Sequence, residues 1–173
     1  MKMLNNFILF VDKTNSIIGK YSSWLTTMLV LVVVYDVILR YVFNQSSVGM
    51  QELEWHIFAI LFLMGSAFTL LKDDHVRVDL FYSRFEEKKK ALINIIGIIV
   101  FFIPFVLLII YTSINYVDNS IVLNEASPDP GGLPARYILK AFIPISFFFL
   151  LLQGFSLLFK SIITIKNINT EKN

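Results

Sequence analysis

The sequence contains no cysteine and only two histidines among its 173 residues. The lack of cysteine excludes disulfide bonds, thiolate metal sites and cysteine nucleophiles. His56 and His75 stand at the two ends of one apolar stretch, roughly 28 Å apart at helical rise. They cannot face each other across one iron, as two axial haem ligands must. No Ser/His/Asp set or nucleotide-binding loop is present either, so we expect no enzyme activity and no cofactor bound by this chain.

Charged residues are also scarce: they make up 16% of the chain and are nearly absent from four long apolar stretches. These stretches are 21–39, 55–71, 91–117 and 141–159. Each is near or above the roughly 20 residues that a membrane-spanning helix needs. The sequence therefore predicts an all-α integral membrane protein, one domain over 1–173, with spans at about 21–40, 53–71, 91–117 and 138–160. Pro104 should bend the third span, because it removes a backbone hydrogen bond.

The positive charges are sorted by side. Of the 15 Lys and Arg, three precede the first span, six lie between the second and third, and three follow the fourth. Only Arg40, Arg136 and Lys140 fall on the other side. The positive-inside rule then puts both termini and the middle loop in the cytoplasm. Orientation accounts for the basic residues, so no nucleic-acid partner is expected.

Two shorter segments have amphipathic patterns. Apolar residues recur at helical spacing from Leu4 to Val11, which is typical of a short helix, about 2–13, in the inner interface before the first span. Between the second and third spans, Val76, Leu80, Phe81 and Phe85 could line one face of another interfacial turn or helix. The string from His75 through Arg77 to Asp79 in that loop is either an extended contact strip or a solvated loop.

Four charged residues lie near the outer ends of the first two spans. Asp36 and Arg40 are one helical turn apart and can pair, and Glu52 or Glu54 at similar depth could also reach Arg40. Charges in a membrane are costly and need partners. One interpretation is a structural ion-pair cluster that ties the first two spans together. The other is contact with a partner subunit or an ion path, and the two are compatible if a partner completes the cluster.

The longest outer segment, 118–140, contains three prolines and two adjacent glycines within seven residues. Pro128, Pro130 and Pro134, with Gly131 and Gly132, exclude a helix and favour a defined turn.

Several strings together resemble the small membrane subunit (DctQ type) of the tripartite ATP-independent periplasmic, or TRAP, transporters. The resemblance covers nearly the whole chain, and its strongest strings stand in order at the span boundaries. They are Arg40-Tyr41-Val42-Phe43-Asn44, Gln51-Glu52-Leu53-Glu54-Trp55-His56, His75-Val76-Arg77-Val78-Asp79 and Asp129-Pro130-Gly131-Gly132-Leu133-Pro134-Ala135-Arg136.

This resemblance implies a sodium-driven transporter for organic acids in a bacterial inner membrane. A periplasmic protein would capture the substrate, and a large permease would carry the substrate and sodium sites. This chain would brace the permease and help dock the binding protein. The implied candidates for subunit interface or docking are Asp36, Arg40, Glu52, Glu54, His75, Arg77, Asp79, Asp129, Gly131, Gly132 and Arg136. Four spans without repeats are too few for an alternating-access pathway, and no cluster of buried polar groups marks a binding site.

The alternative is an independent four-span transporter of the multidrug type, acting as a homodimer. Such proteins also carry a carboxylate in the first span, but their antiparallel dimers require weak orientation bias. The 12-to-3 split of positive charges argues against that class.

Overall fold

Four long helices make up the computed structural model, which describes residues 2–72 and 85–170. They are α1 (Lys2–Val42), α2 (Val48–Lys72), α3 (Glu87–Val122) and α4 (Tyr137–Thr170). All four are long and apolar enough to cross a membrane, and the described ranges contain no strand. The all-α, four-span prediction is confirmed, and each predicted span lies within one helix. His75, Arg77 and Asp79 lie outside the described residues, as does most of the second amphipathic segment.

Helix α1 is continuous over 41 residues. The segment predicted as a separate short helix at 2–13 is helical, but it runs into the first span without a break. Its buried side chains, spaced three or four residues apart, follow one face through Ile8, Val11 and Asn15. At about 1.5 Å per residue the helix is roughly 60 Å long, about twice the hydrocarbon thickness of a bilayer. The N-terminal part of α1, on the side that the charge pattern predicts to be the inner one, therefore extends well past the end of α2.

Helix α4 is the centre of the arrangement and packs against all three other helices. One third (33%) of its most apolar window is buried, compared with 6% for α1. Near its inner end the ring of Phe159 meets Phe7 of α1 edge-on, with 5.6 Å between ring centroids. Most of the apolar surface on α1, α2 and α3 consequently faces outward, towards lipid or a partner.

Helix α3 changes its hydrogen-bond register just before Pro104. Residues Ile98–Phe102 form a π-helical segment, and the Ile103 N–H donates to the Ile98 carbonyl five residues back. A widened turn of this kind accommodates proline, which has no backbone N–H to donate. The irregularity expected at this proline therefore takes the form of a π segment. The ring of Phe102, in this segment, lies so close to Gly154 of α4 that a Cβ there would collide with it.

Candidate functional site

The end of the molecule that carries the α1–α2 and α3–α4 loops, called the outer end after its predicted orientation, is organised around the carboxylate of Glu52, in the second turn of α2. Its side chain is buried and accepts three hydrogen bonds. Ser127 Oγ donates at 2.5 Å, the Leu133 backbone N–H at 2.5 Å and Arg136 Nη2 at 2.7 Å. All three donors belong to the segment between α3 and α4. One carboxylate thus fastens that whole loop to the start of α2.

A second ion pair closes the loop from the other side. The carboxylate of Glu125 accepts from Lys140 Nζ and, at 2.6 Å, from Ser120 Oγ. The Lys140 ammonium, followed by the Ser120 hydroxyl, lowers the pKa of Glu125 below its usual range. Lys140 also lies 4.0 Å from the centre of the Tyr116 ring, an attractive cation–π contact. This pair therefore links the last turn of α3 to the first turn of α4.

The loop backbone is held by its own hydrogen bonds. The Gly132 N–H donates to the Asp129 carbonyl at 3.0 Å, and the Ser127 N–H donates to the Leu133 carbonyl at 3.0 Å. Gly131 has a φ of 82°, a conformation that glycine adopts without a steric penalty. A Cβ on Gly132 would collide with Ser127 and the Glu52 carboxylate. The two glycines therefore have different roles, one in the turn and one in the close approach to Glu52.

The outermost residues of the loop point into solvent. Pro128, Asp129 and Pro130 are exposed, and the Asp129 carboxylate makes no ion pair within the described ranges. Among the outer charges predicted for docking, Asp129 is thus exposed and outside the ion pairs of the described residues, whereas Glu52 and Arg136 are bound to each other.

Asp36 and Arg40 pair within α1, as the sequence predicted. Asp36 is 1% exposed, and its Oδ1 has no hydrogen-bond partner among the described residues. The suggestion that Glu52 could reach Arg40 is wrong for this structure, because its carboxylate is occupied by the outer loop. Glu54 is half-buried, and its Oε1 also lacks a partner in the described ranges. The Glu52 cluster therefore ties α2 to the outer loop rather than to α1.

A polar cluster also lies between α1 and α4 at their inner ends, and the sequence analysis did not predict it. Asn15 Nδ2 donates to Gln153 Oε1 at 2.7 Å. Gln153 Nε2 and Ser156 Oγ donate to Asp12 at 3.0 and 2.8 Å. Lys160 closes the set with an ion pair to Asp12 at 2.6 Å. This inner network holds two helices together across more than 130 residues of chain.

A signal for the inner network was present in the sequence. Gln153 interrupts an apolar run in the fourth span, and Asn15 stands on the apolar face of α1 with Ile8 and Val11. A polar side chain at such a position needs an interhelical partner. The identity of that partner could not be read from periodicity, because it depends on how α1 and α4 are rotated against each other.

The contacts of Glu52 with Ser127, Leu133 and Arg136, together with the Glu125–Lys140 pair, form the outer cluster. A cavity of about 240 Å³ opens beside it. Trp55, Tyr116, Glu125, Arg136 and Lys140 are among its lining residues. Both of its cations are already paired with carboxylates. The charges here thus shape the loop, while the buried Nε of Arg136 has no hydrogen-bond partner among the described residues.

The family model described as "Tripartite ATP-independent periplasmic transporters, DctQ component" matches residues 29–164. That range contains the whole outer cluster and the α4 side of the inner network, while Asp12 and Asn15 precede it. No curated protein matches the chain. The match covers most of the sequence, and the chain belongs to the DctQ family, the small membrane component of TRAP transporters.

Proposed function

We propose that this chain braces the large permease subunit of a TRAP transporter and presents a rigid outer surface to the periplasmic binding protein. The transporter would take up an organic acid with sodium across a bacterial inner membrane. The observation that carries the docking role is the outer loop: Glu52 fastens it from beneath while Asp129 stays exposed. A preformed loop loses little conformational entropy when a partner binds.

The bracing role is supported by the outward face of α1. Large apolar side chains recur there every seven residues and are exposed, namely Phe10, Ile17, Trp24, Leu31 and Ile38. A seven-residue apolar repeat is the spacing with which one helix packs along another. The buried side chains Ile8, Asn15 and Ser22 of α1 also recur at this interval, on the other side of the helix. Helix α1 therefore has one face that packs on its own chain and a second face for a partner. This second face, formed by the five exposed side chains, is the outward seam.

The docking role predicts a defect that depends on binding protein. Reversal of the exposed charge by Asp129→Lys should slow uptake when binding protein is limiting, because rim charges set mainly the association rate. Excess binding protein should restore uptake, and the membrane complex should remain assembled. Glu86→Lys, an equally exposed acid just before α3, is the matched control. Normal uptake by D129K at every concentration of binding protein would contradict the docking role.

The bracing role predicts a defect in assembly instead. Leu31→Ala should lower the yield of co-purified permease, since it truncates a member of the outward seam. Val30→Ala, exposed on the adjacent side of α1, should have less effect. Equal yields from both variants would exclude this seam as the permease contact. An export activity of the chain alone would instead favour the multidrug-type alternative, which membership of the DctQ family makes unattractive.

A further inference from the structure

Glu54 differs from the other acids at the outer end because it is partly enclosed and has no counter-charge. The residue is half-buried, and its Oε1 is buried without a hydrogen-bond partner among the described residues. The other two acids outside the ion pairs at this end, Asp118 and Asp129, are exposed to water. A carboxylate at the edge of a membrane span is costly unless it has a partner. Glu54 therefore needs a cation that the described part of the chain does not supply.

The chain has no spare cation for Glu54 on the predicted outer side. The sequence has three cations there, Arg40, Arg136 and Lys140, and each already belongs to an ion pair. The pairs are Asp36–Arg40, Glu52–Arg136 and Glu125–Lys140. By the positive-inside rule, the remaining Lys and Arg lie on the other side of the membrane. The counter-charge for Glu54 must accordingly come from another molecule.

The face of α2 that carries Glu54 packs on α1. Apolar residues follow Glu54 along this face at steps of three and four, and the last of them, Phe68, lies so close to Gly19 of α1 that a Cβ there would collide with its ring. The residues between are Ile57, Leu61 and Met64. Equal steps outward from this contact along the two antiparallel helices bring Asp36 within about one turn of the level of Glu54. Asp36 also has a buried oxygen without a partner in the described ranges. The outer end of the α1–α2 crevice thus holds two carboxylates and one arginine, an excess of negative charge.

We propose that Glu54 pairs with a Lys or Arg of the large permease subunit at the outer boundary of the membrane. The half-buried side chain is still reachable from outside its own chain, and a permease cation would neutralise the excess charge of the crevice. Long basic side chains extend along an apolar helix surface and place their charge at such a boundary. This inference rests on the proposed bracing role. It adds one charged contact to the apolar contact through the outward seam.

The test compares Glu54→Gln with the unaltered chain, each co-expressed with the permease and purified as a complex in detergent. Loss of the charge pair should raise the dissociation constant of the complex about tenfold. In the chain purified alone, the same substitution should leave the unfolding midpoint unchanged or raise it, because it removes a charge that has no partner there. A purely structural residue would instead lower that midpoint. Asp118→Asn, which neutralises an exposed acid at the same end, is the matched control and should change neither quantity.

Glu54→Lys serves to locate the partner group. It should abolish uptake, and selection for permease substitutions that restore uptake should return a Lys or Arg replaced by an acid. Suppressors that never alter a permease cation would overturn the proposal, and so would a lowered unfolding midpoint of E54Q alone. If sodium chloride but not choline chloride raises the midpoint of the chain alone, and E54Q loses this rise, a bound cation replaces the permease contact. Equal retention of permease by E54Q and the unaltered chain would reject this inference only, whereas failure of the unaltered chain to retain permease would reject the bracing role as well.

Discussion

The outer cluster and the inner network both join distant parts of the chain, but they are built from different chemistry. The outer cluster uses two carboxylates and two cations, and one of its donors is a loop backbone N–H. The inner network has neutral Asn15 and Gln153 at its centre, and its only ion pair, between Asp12 and Lys160, lies at a partly exposed edge. The first fixes the shape of a loop, and the second fixes how two helices pack.

This difference follows from where each cluster lies. A buried ion pair must recover the cost of desolvating both charges, and that cost is smaller at a membrane surface than inside an apolar span. Neutral amides and hydroxyls are cheaper to bury and still specify which helix faces meet. The comparison indicates that ion pairs shape the outer loop, whereas the inner network joins its helices with one neutral amide pair and a single carboxylate, that of Asp12.

The largest effect should come from Glu52→Gln. Glutamine keeps the shape, but its amide group cannot accept from both Arg136 and the Leu133 N–H, so one of these donors is left without an acceptor. Amide hydrogen exchange over 125–136 should accelerate by about tenfold or more as the loop opens locally. Glu54→Gln, two residues later and outside the cluster, should leave exchange in this loop unchanged. Similar acceleration in both variants would mean that Glu52 has no special role.

A smaller but global effect is expected from Gln153→Leu. It removes the partner of the buried Asn15 and one of the donors to Asp12, which keeps Ser156 and Lys160, at a cost of about 1–3 kcal/mol of unfolding free energy. Replacing Asn15 by leucine as well should recover part of that loss, because removing both partners of a hydrogen bond is less costly than removing one. Thermal unfolding in detergent measures both steps. A double variant less stable than Q153L would contradict the pairing.

The two loop glycines give the next test. Gly132→Ala places a Cβ against Ser127 and Glu52, so it should disturb the cluster as well as the turn. A Cβ at position 131 meets no neighbouring atom. Gly131→Ala therefore costs only the free energy of holding alanine in the left-handed conformation, about 1 kcal/mol. Exchange over the loop should therefore be faster in G132A than in G131A, and the reverse order would show that turn strain dominates.

Two serines of α4 allow a comparison between a hydroxyl that bonds to another helix and one that bonds within its own helix. Ser156 donates to Asp12 at 2.8 Å, whereas Ser146 donates to the Ile143 carbonyl of its own helix at 2.9 Å. Both are buried. Ser156→Ala should cost about 1 kcal/mol, and Ser146→Ala less than about 0.5 kcal/mol. Matching unfolding midpoints would remove Ser156 from the inner network.

The smallest effect is the response of the outer loop to acid. The lowered pKa of Glu125 means that its contribution to loop stability is fully present above the pKa of an unfolded glutamate, about 4.3. It is lost as pH falls through the lower folded value. Fluorescence of Trp55 in a Trp24→Phe background should report the change, and Glu125→Gln should remove this part of it. An acid response identical in E125Q would assign the transition to another group.

The sequence by itself determined the fold class and the family, because these depend on local properties. A run of about 20 apolar residues is a span wherever it stands, and Pro130, Gly131 and Gly132 require a turn in any context. The Asp36–Arg40 pair was equally predictable, since residues four apart share one helix face.

Only the tertiary structure decided which distant groups meet. Glu52 bonds to Arg136 and not to Arg40, since the outer loop folds back over the start of α2. Asn15 bonds to Gln153 because α1 continues past α2 and directs its face with Asn15 towards α4. Hydrophobicity sets how many helices cross the membrane, but their rotation and the path of the loops set their partners, and these are properties of the packed chain as a whole.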